Sequence, residues 1–258
     1  MQAASQRHRH LVASAWAGIV ACALAFACAW LAAACSPAHA ALVLSDTRLV
    51  YHGGAPQARI TVLNMGRQPA LMQAWIDTGN PEAPPKDIRA PFVVTPPMAR
   101  IDAGQRQTLS VVFTGSALPA DRESLFWLNV LDIPPRPRSA GQRNYIQFAV
   151  RTRIKLLYRP VALRGNPTQA MRLLRWREVC ARGRCVVQVR NPSPYCIAIV
   201  ELRCRGAHGA IGPALQGTVL PFGTRRWRLP GAAPVRSVSY AVVNDYGAFV
   251  HARAAVVS

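Results

Sequence analysis

Cysteine and histidine are the side chains best suited to covalent or metal chemistry, and this chain of 258 residues carries 7 and 6 of them. Three of each fall in the first 40 residues; His52, His208 and His251 remain beyond, none beside a plausible nucleophile. There is no G-x-S-x-G elbow and no glycine-rich phosphate loop. Carboxylates are few, 11 in all, and isolated. The pattern argues against an enzyme and names no catalytic residue and no cofactor. Cys180 and Cys185 flank "ARGR", which reads as a hairpin turn, so their pairing as a disulfide is geometrically easy. Cys196 and Cys204 bracket "IAIVELR". As one extended strand that segment holds them ~26 Å apart, beyond disulfide reach, and their pairing stays open. No histidine lies at zinc-ligand spacing and the surrounding arginines repel a cation, so no metal is expected.

Lysine is the next unusual residue. Of 31 basic side chains only Lys86 and Lys155 are lysines. Lys155 sits inside "RTRIKLLYRP" (151–160), an otherwise strand-like run. Just upstream, Ile146, Phe148 and Val150 alternate with Gln147, Ala149 and Arg151, which puts the three apolar side chains on one face. Two readings are open: a core-facing strand, or an edge strand offering backbone and apolar groups to a partner that lacks a strand. Lys155 has the opposite parity and points to the other face. It is either a solvated, snorkelling lysine or a point charge that grips a carboxylate. Arg48, in "SDTRLVY", is a second basic residue close to an apolar strand.

The N-terminus reads as an export signal. Arg7 and Arg9 precede an uncharged run over 11–35, followed by Ala38-His39-Ala40, a small-x-small cleavage pattern. Cleavage after Ala40 is expected; an uncleaved anchor and lipidation at Cys35 are the alternatives. All three export the remainder, into an oxidising space where Cys180–Cys185 can form. Residues 1–40 hold two arginines and no acid, so +18 of the +20 net charge stays with the exported part. Such a charge suits nucleic acid or an anionic surface. The arginines are scattered along the sequence, however, and no recognition-helix or RNA-binding motif accompanies them, so no nucleic-acid partner is expected.

Period-two runs separated by turn residues fill the rest. "ARITVLN" (58–64), "ALMQAWID" (70–77), "QTLSVVFTG" (107–115) and "SLFWLNVLD" (124–132) read as strands, and 144–160 as another. A second set follows: 171–179, 184–191, 196–204, 224–230, 238–245 and 248–257. Nothing reads as a long amphipathic helix. The fold class is all-β, two immunoglobulin-like β-sandwich domains over 41–160 and 161–258.

These segments resemble the PapD-like periplasmic pilus (fimbrial) chaperones of the chaperone–usher pathway. The resemblance rests on seven blocks in family order: "TRLVY" (47–51), "LMQAWID" (71–77), "FVVTPPMARIDAGQ" (92–105), "LPADRESLFWLNVLDIPP" (118–135), "IQFAVRTRIKLLYRP" (146–160), "VRNPSPY" (189–195) and "NDYGA" (244–248). It implies two domains arranged as a boomerang. It implies capture of pilus subunits in the periplasm by donor-strand complementation, and their delivery to an outer-membrane usher. The donor residues would be Ile146, Phe148 and Val150, on a strand starting near Asn144. Arg48 and Lys155 would anchor the subunit's terminal carboxylate. Glu123, Arg159 and Asp245 would form an interdomain charge cluster that orients the domains. The connection "PPRPRSAGQRN" resembles the short-loop type. A self-capping homodimer of the free protein stays open. The rival function is a secreted immunoglobulin-like structural component of the envelope or pilus.

Overall fold

Alternation of apolar and polar side chains dictates most of the strands. The computed structural model describes Phe26 and residues 41–136, 146–181, 184–207, 209–230 and 234–257, with the backbone alone at Arg184. The export signal expected over 1–40 therefore lies outside the described residues, Phe26 apart. Nine strands come first: β1 (Leu42–Leu44), β2 (Arg48–His52), β3 (Ala58–Asn64), β4 (Ala70–Asp77), β5 (Phe92–Thr95), β6 (Met98–Ile101), β7 (Arg106–Phe113), β8 (Ser124–Ile133) and β9 (Val150–Arg159). They make two sheets, ordered β1-β3-β7-β5 and β2-β9-β8-β4-β6. Between the sheets Val62, Met72, Leu109, Val111, Leu128 and Leu156 are fully buried. Each such side chain contributes about 1.5–3 kcal/mol by leaving water. A ring cluster of Tyr51, Phe92, Phe113 and Tyr158 closes one end, with centroids 4.7–6.3 Å apart.

The strand expected over 144–160 is shorter than the alternation suggests. β9 starts at Val150, opposite Asp132 of β8, and residues 146–149 lie outside the sheet. The reason is local: β8 ends at Ile133, and Pro134 and Pro135 follow without an N–H to donate. Asn144, the expected start, lies outside the described residues.

The second half opens with a helix rather than a strand. Asn166 caps α1 (Pro167–Ala170): its side-chain oxygen accepts the Thr168 N–H at 2.7 Å, and Pro167 pre-sets the first turn. A 3-10 turn over Met171–Leu173 continues it, so the strand expected over 171–179 is only β10 (Arg175–Ala181). Then come β11 (Arg184–Arg190), β12 (Ile197–Gly206), β13 (Gly209–Val219), β14 (Thr224–Arg228), β15 (Ser237–Val243) and β16 (Phe249–Ala255). The sheets are β10-β11-β14 and β13-β12-β15-β16, closing a second core on Val187, Val189, Leu202, Val219 and Val238. Strand β13, "GAIGPALQGTV", escapes the sequence reading. It carries three glycines and a proline, and its pairing with β12 shifts register twice. Among the described residues no helix is long and apolar enough to cross a membrane.

Cys180 and Cys185 face each other across β10 and β11 and are joined, with Cα atoms 4.1 Å apart. Glu178 lies within 4.8 Å of both sulfurs, but sulfurs bonded to one another offer no thiolate to a metal. The bridge closes a short loop, so replacing both cysteines by serine is expected to cost about 2 kcal/mol in urea unfolding. Cys196 and Cys204 are free and buried. Burial pushes the Cys204 thiol up to about 11 and drives Cys196 further, with Glu123 adding to the effect. A thiolate-selective alkylating reagent is expected to spare both until the protein unfolds.

Candidate functional site

Parallel pairing of β2 with β9 sets Arg48 directly beside Lys155. On the other flank of β9, Trp127 of β8 faces Lys155, and Asp77 of β4 faces Trp127. One row of the sheet thus reads Arg48, Lys155, Trp127, Asp77. Lys155 Nζ lies 4.9 Å from the Trp127 ring centroid and the Arg153 guanidinium 4.1 Å from it. The two cations differ in how they are satisfied. Arg153 donates to both Asp77 oxygens, at 2.9 and 2.5 Å. Burial alone would raise the Asp77 pKa, but hydrogen bonds from Arg153, Asn129 and the Gly79 N–H outweigh it and hold the carboxyl below its ordinary value. Lys155 has no carboxylate within ion-pair distance among the described residues. It is half-buried, and burial followed by the charge of Arg48 pushes its pKa down.

Arg48 is in a similar position. It is 7% exposed, one nitrogen donates to the Val243 carbonyl at 2.8 Å, and its Nε is buried without a hydrogen-bond partner among the described residues. Burial lowers its pKa, against the pull of Asp245 and Glu123. Two adjacent, partly desolvated cations with an unused donor make a site that an arriving anion stabilises. A carboxylate, with two acceptor oxygens, suits an ammonium and a guanidinium side by side.

The apolar arm starts on the same strand. Ile146 is 81% exposed, Phe148 74% and Val150 42%. Their parity is that of Ile154 and Leu156, which point into the core. The stripe therefore runs on past the end of the sandwich, where no sheet of the described residues covers it. Large apolar side chains exposed in a row mark an interaction surface. Of the two readings open for these residues, the core-facing one is corrected: with β8 ended by prolines, 146–149 have no neighbouring strand among the described residues.

A third group lies where the two sandwiches meet. Arg159 donates to Glu123 Oε1 at 2.7 Å and to both Asp245 oxygens at 2.9 and 3.1 Å. The other Glu123 oxygen accepts the Cys196 N–H at 2.8 Å, and the Glu123 N–H donates to the Pro194 carbonyl at 2.9 Å. Burial pushes Glu123 up, opposed by those bonds. Burial also works against the Arg159 charge, but Asp245 and Glu123 more than offset it and hold its pKa above the ordinary value.

The structure thus places Arg48 with Lys155, and Glu123 with Arg159 and Asp245, while Ile146, Phe148 and Val150 stand apart on the exposed arm. Sequence reasoning missed Trp127, Arg153, Asp77 and Asn129. Arg153 shares the parity of Lys155, which is the signal that it belongs to the same face; nothing in the sequence ties Asp77 to it.

The comparisons with known proteins agree along the whole body. Residues 41–164 match the family described as "Pili and flagellar-assembly chaperone, PapD N-terminal domain", and residues 169–254 match "Pili assembly chaperone PapD, C-terminal domain". The chain is 39% identical over 236 residues to "Chaperone protein FimB/FhaD" of Bordetella pertussis, spanning 90% of this chain and 95% of the relative. It is 37% identical over 221 residues to "Probable fimbrial chaperone YadV" of Escherichia coli, spanning 83% and 89%. The crystal structure of the YadV chaperone superposes with a TM-score of 0.69 at 33% identity, covering 83% of this chain and 99% of that one. The Salmonella enterica SafA pilin complex with the SafB chaperone gives 0.69 at 27% identity, covering 85% and 98%. With both halves matched in order and relatives aligned over nearly their full length, the chain belongs to the PapD family of pilus-assembly chaperones.

Proposed function

We propose that this chain is a periplasmic chaperone that captures pilus subunits by lending them its exposed arm as a strand, and that it hands them to an outer-membrane usher. The observation that carries the reading is a pair of features at β9: an exposed apolar stripe at 146–150, leading into the strand, and a few residues further along it an unneutralised cation beside Arg48. In this reading Ile146, Phe148 and Val150 fill the groove of an incomplete sandwich, and Arg48 and Lys155 hold the subunit's terminal carboxylate and so fix the register. Glu123, Arg159 and Asp245 keep the two domains in orientation. Residues 1–40 direct export, residues 41–160 bind the subunit, and residues 161–258 form the second domain. Support for a subunit as occupant comes from the SafB–SafA complex, a chaperone with a pilin bound.

Burying three apolar side chains supplies several kcal/mol at about 1.5–3 kcal/mol each. Backbone pairing adds direction. Replacing Ile146 and Phe148 by serine is the direct test. The free chain should keep its stability within about 0.5 kcal/mol, because both side chains are already in water. Capture of a coexpressed pilus subunit should fall by roughly 100-fold or more. Subunit recovery equal to that of the unaltered chain would overturn the strand-lending role.

A further inference from the structure

Residues 161–258 hold 14 arginines and 3 acids, so this part carries +11 of the +18. The arginines look scattered in sequence, but the fold gathers five of them. On the outer face of the β10-β11-β14 sheet, Arg175 lies directly opposite Arg190, Gln188 lies between Arg177 and Arg226, and Arg228 follows on β14. All five arginines are exposed. Arg226 donates to Gln188 at 2.7 Å; none of the five has an ion-pair partner among the described residues. Like charges set directly opposite across strands are destabilising, so the face is costly in isolation.

The nearby acids do not relieve it. Glu178 turns inward, where it accepts the Val235 N–H at 3.2 Å. Glu201 pairs with Arg203, and Asp245 with Arg159. Four of the five arginines, all but Arg228, line an open concavity of about 790 Å³, to which Glu178 also contributes, with Val179, Phe222 and Val257 along it. Phe222 is 45% exposed, with the Arg122 guanidinium 5.5 Å from its ring centroid, and Val257 is 68% exposed. Three strands at ~4.8 Å spacing present a patch roughly 10 Å across. It has no helix to enter a groove and no row of aromatics to stack bases. Cations with apolar side chains at their edge are the composition of an interfacial membrane contact.

We propose that the outer face of this sheet docks the chaperone on a bilayer of anionic phospholipid, the arginines meeting phosphate headgroups and the apolar residues the acyl boundary. This does not depend on subunit capture, and it would hold the subunit-binding domain next to a membrane surface. The test is cosedimentation of the exported protein with vesicles of phosphatidylglycerol mixed with phosphatidylcholine, against phosphatidylcholine alone. Binding should require phosphatidylglycerol and weaken with salt. The variant Arg175→Gln with Arg190→Gln should lose affinity about 25-fold, near fivefold for each arginine removed. The variant Arg67→Gln with Arg106→Gln, which removes the same charge from the other domain, should change it less than about threefold. Equal losses in the two variants would reduce the effect to net charge and overturn the proposal. So would binding that ignores phosphatidylglycerol, or a Arg175/Arg190 variant that loses affinity for a double-stranded DNA fragment but not for vesicles.

Discussion

Lys155→Ala is expected to abolish subunit capture without weakening the free protein. A hydrogen-bonded charge pair that loses one member across an interface costs about 2–5 kcal/mol, a roughly 30- to 4,000-fold loss of affinity. The free chain loses an ammonium held beside Arg48 and Arg153 together with its contact to the Trp127 ring, two effects of opposite sign, so its melting temperature should change little. That split distinguishes a carboxylate anchor from a structural lysine, whose removal lowers both quantities. It also distinguishes the chaperone from an immunoglobulin-like structural component, which would bind subunits, if at all, without regard to Lys155. pH gives a second reading of the same residue. The Lys155 pKa lies below the ordinary lysine value, first through burial. Between the lowered and the ordinary value the unfolded chain still holds a proton that the folded chain has released, so the free protein gains stability as pH rises through that window. The complex runs the other way, because the carboxylate needs the ammonium. Lys155→Arg stays charged and should flatten the pH dependence of binding, measured calorimetrically from neutral to alkaline pH.

Arg159→Ala should give the largest loss of stability, about 3–5 kcal/mol, because it leaves Glu123 buried at 3% exposure without its cation. For a body of this size that corresponds to a fall of roughly 6–20 °C in melting temperature. Adding Glu123→Gln should recover a large part of the loss, since a neutral amide needs no counter-charge and still accepts from the Cys196 N–H. A single substitution that melts within about 2 °C of the parent would show that the cluster does not hold the two sandwiches together.

What was legible in the sequence follows from what alternation encodes. β3 and β4 bury every second residue and were readable to the residue. β13 was not, because glycine and proline break its pattern and its pairing is irregular. Met171–Leu173 reads like a strand because Met171 and Leu173 alternate with Arg172, but the Asn166 cap decides the matter upstream. The site divides along the same line. The apolar stripe on 146–150 was visible, whereas its exposure depends on where β8 stops. Of the residues in the row of Lys155, Arg48 was named by resemblance, but Trp127 on β8 and Asp77 on β4 were not visible, because they arrive from other strands. The arginine sheet was hidden for the same reason, since Arg175 and Arg190 meet only across a hairpin.

The cation pair is also a record of completion. Arg48 stands on the second strand of its domain and Lys155 on the ninth, and only their parallel pairing joins them. A copy whose ninth strand has not paired with the second carries both residues but not the site that the proposed anchor needs. In the proposed role, the ability to hold a client therefore depends on β9 having docked beside β2.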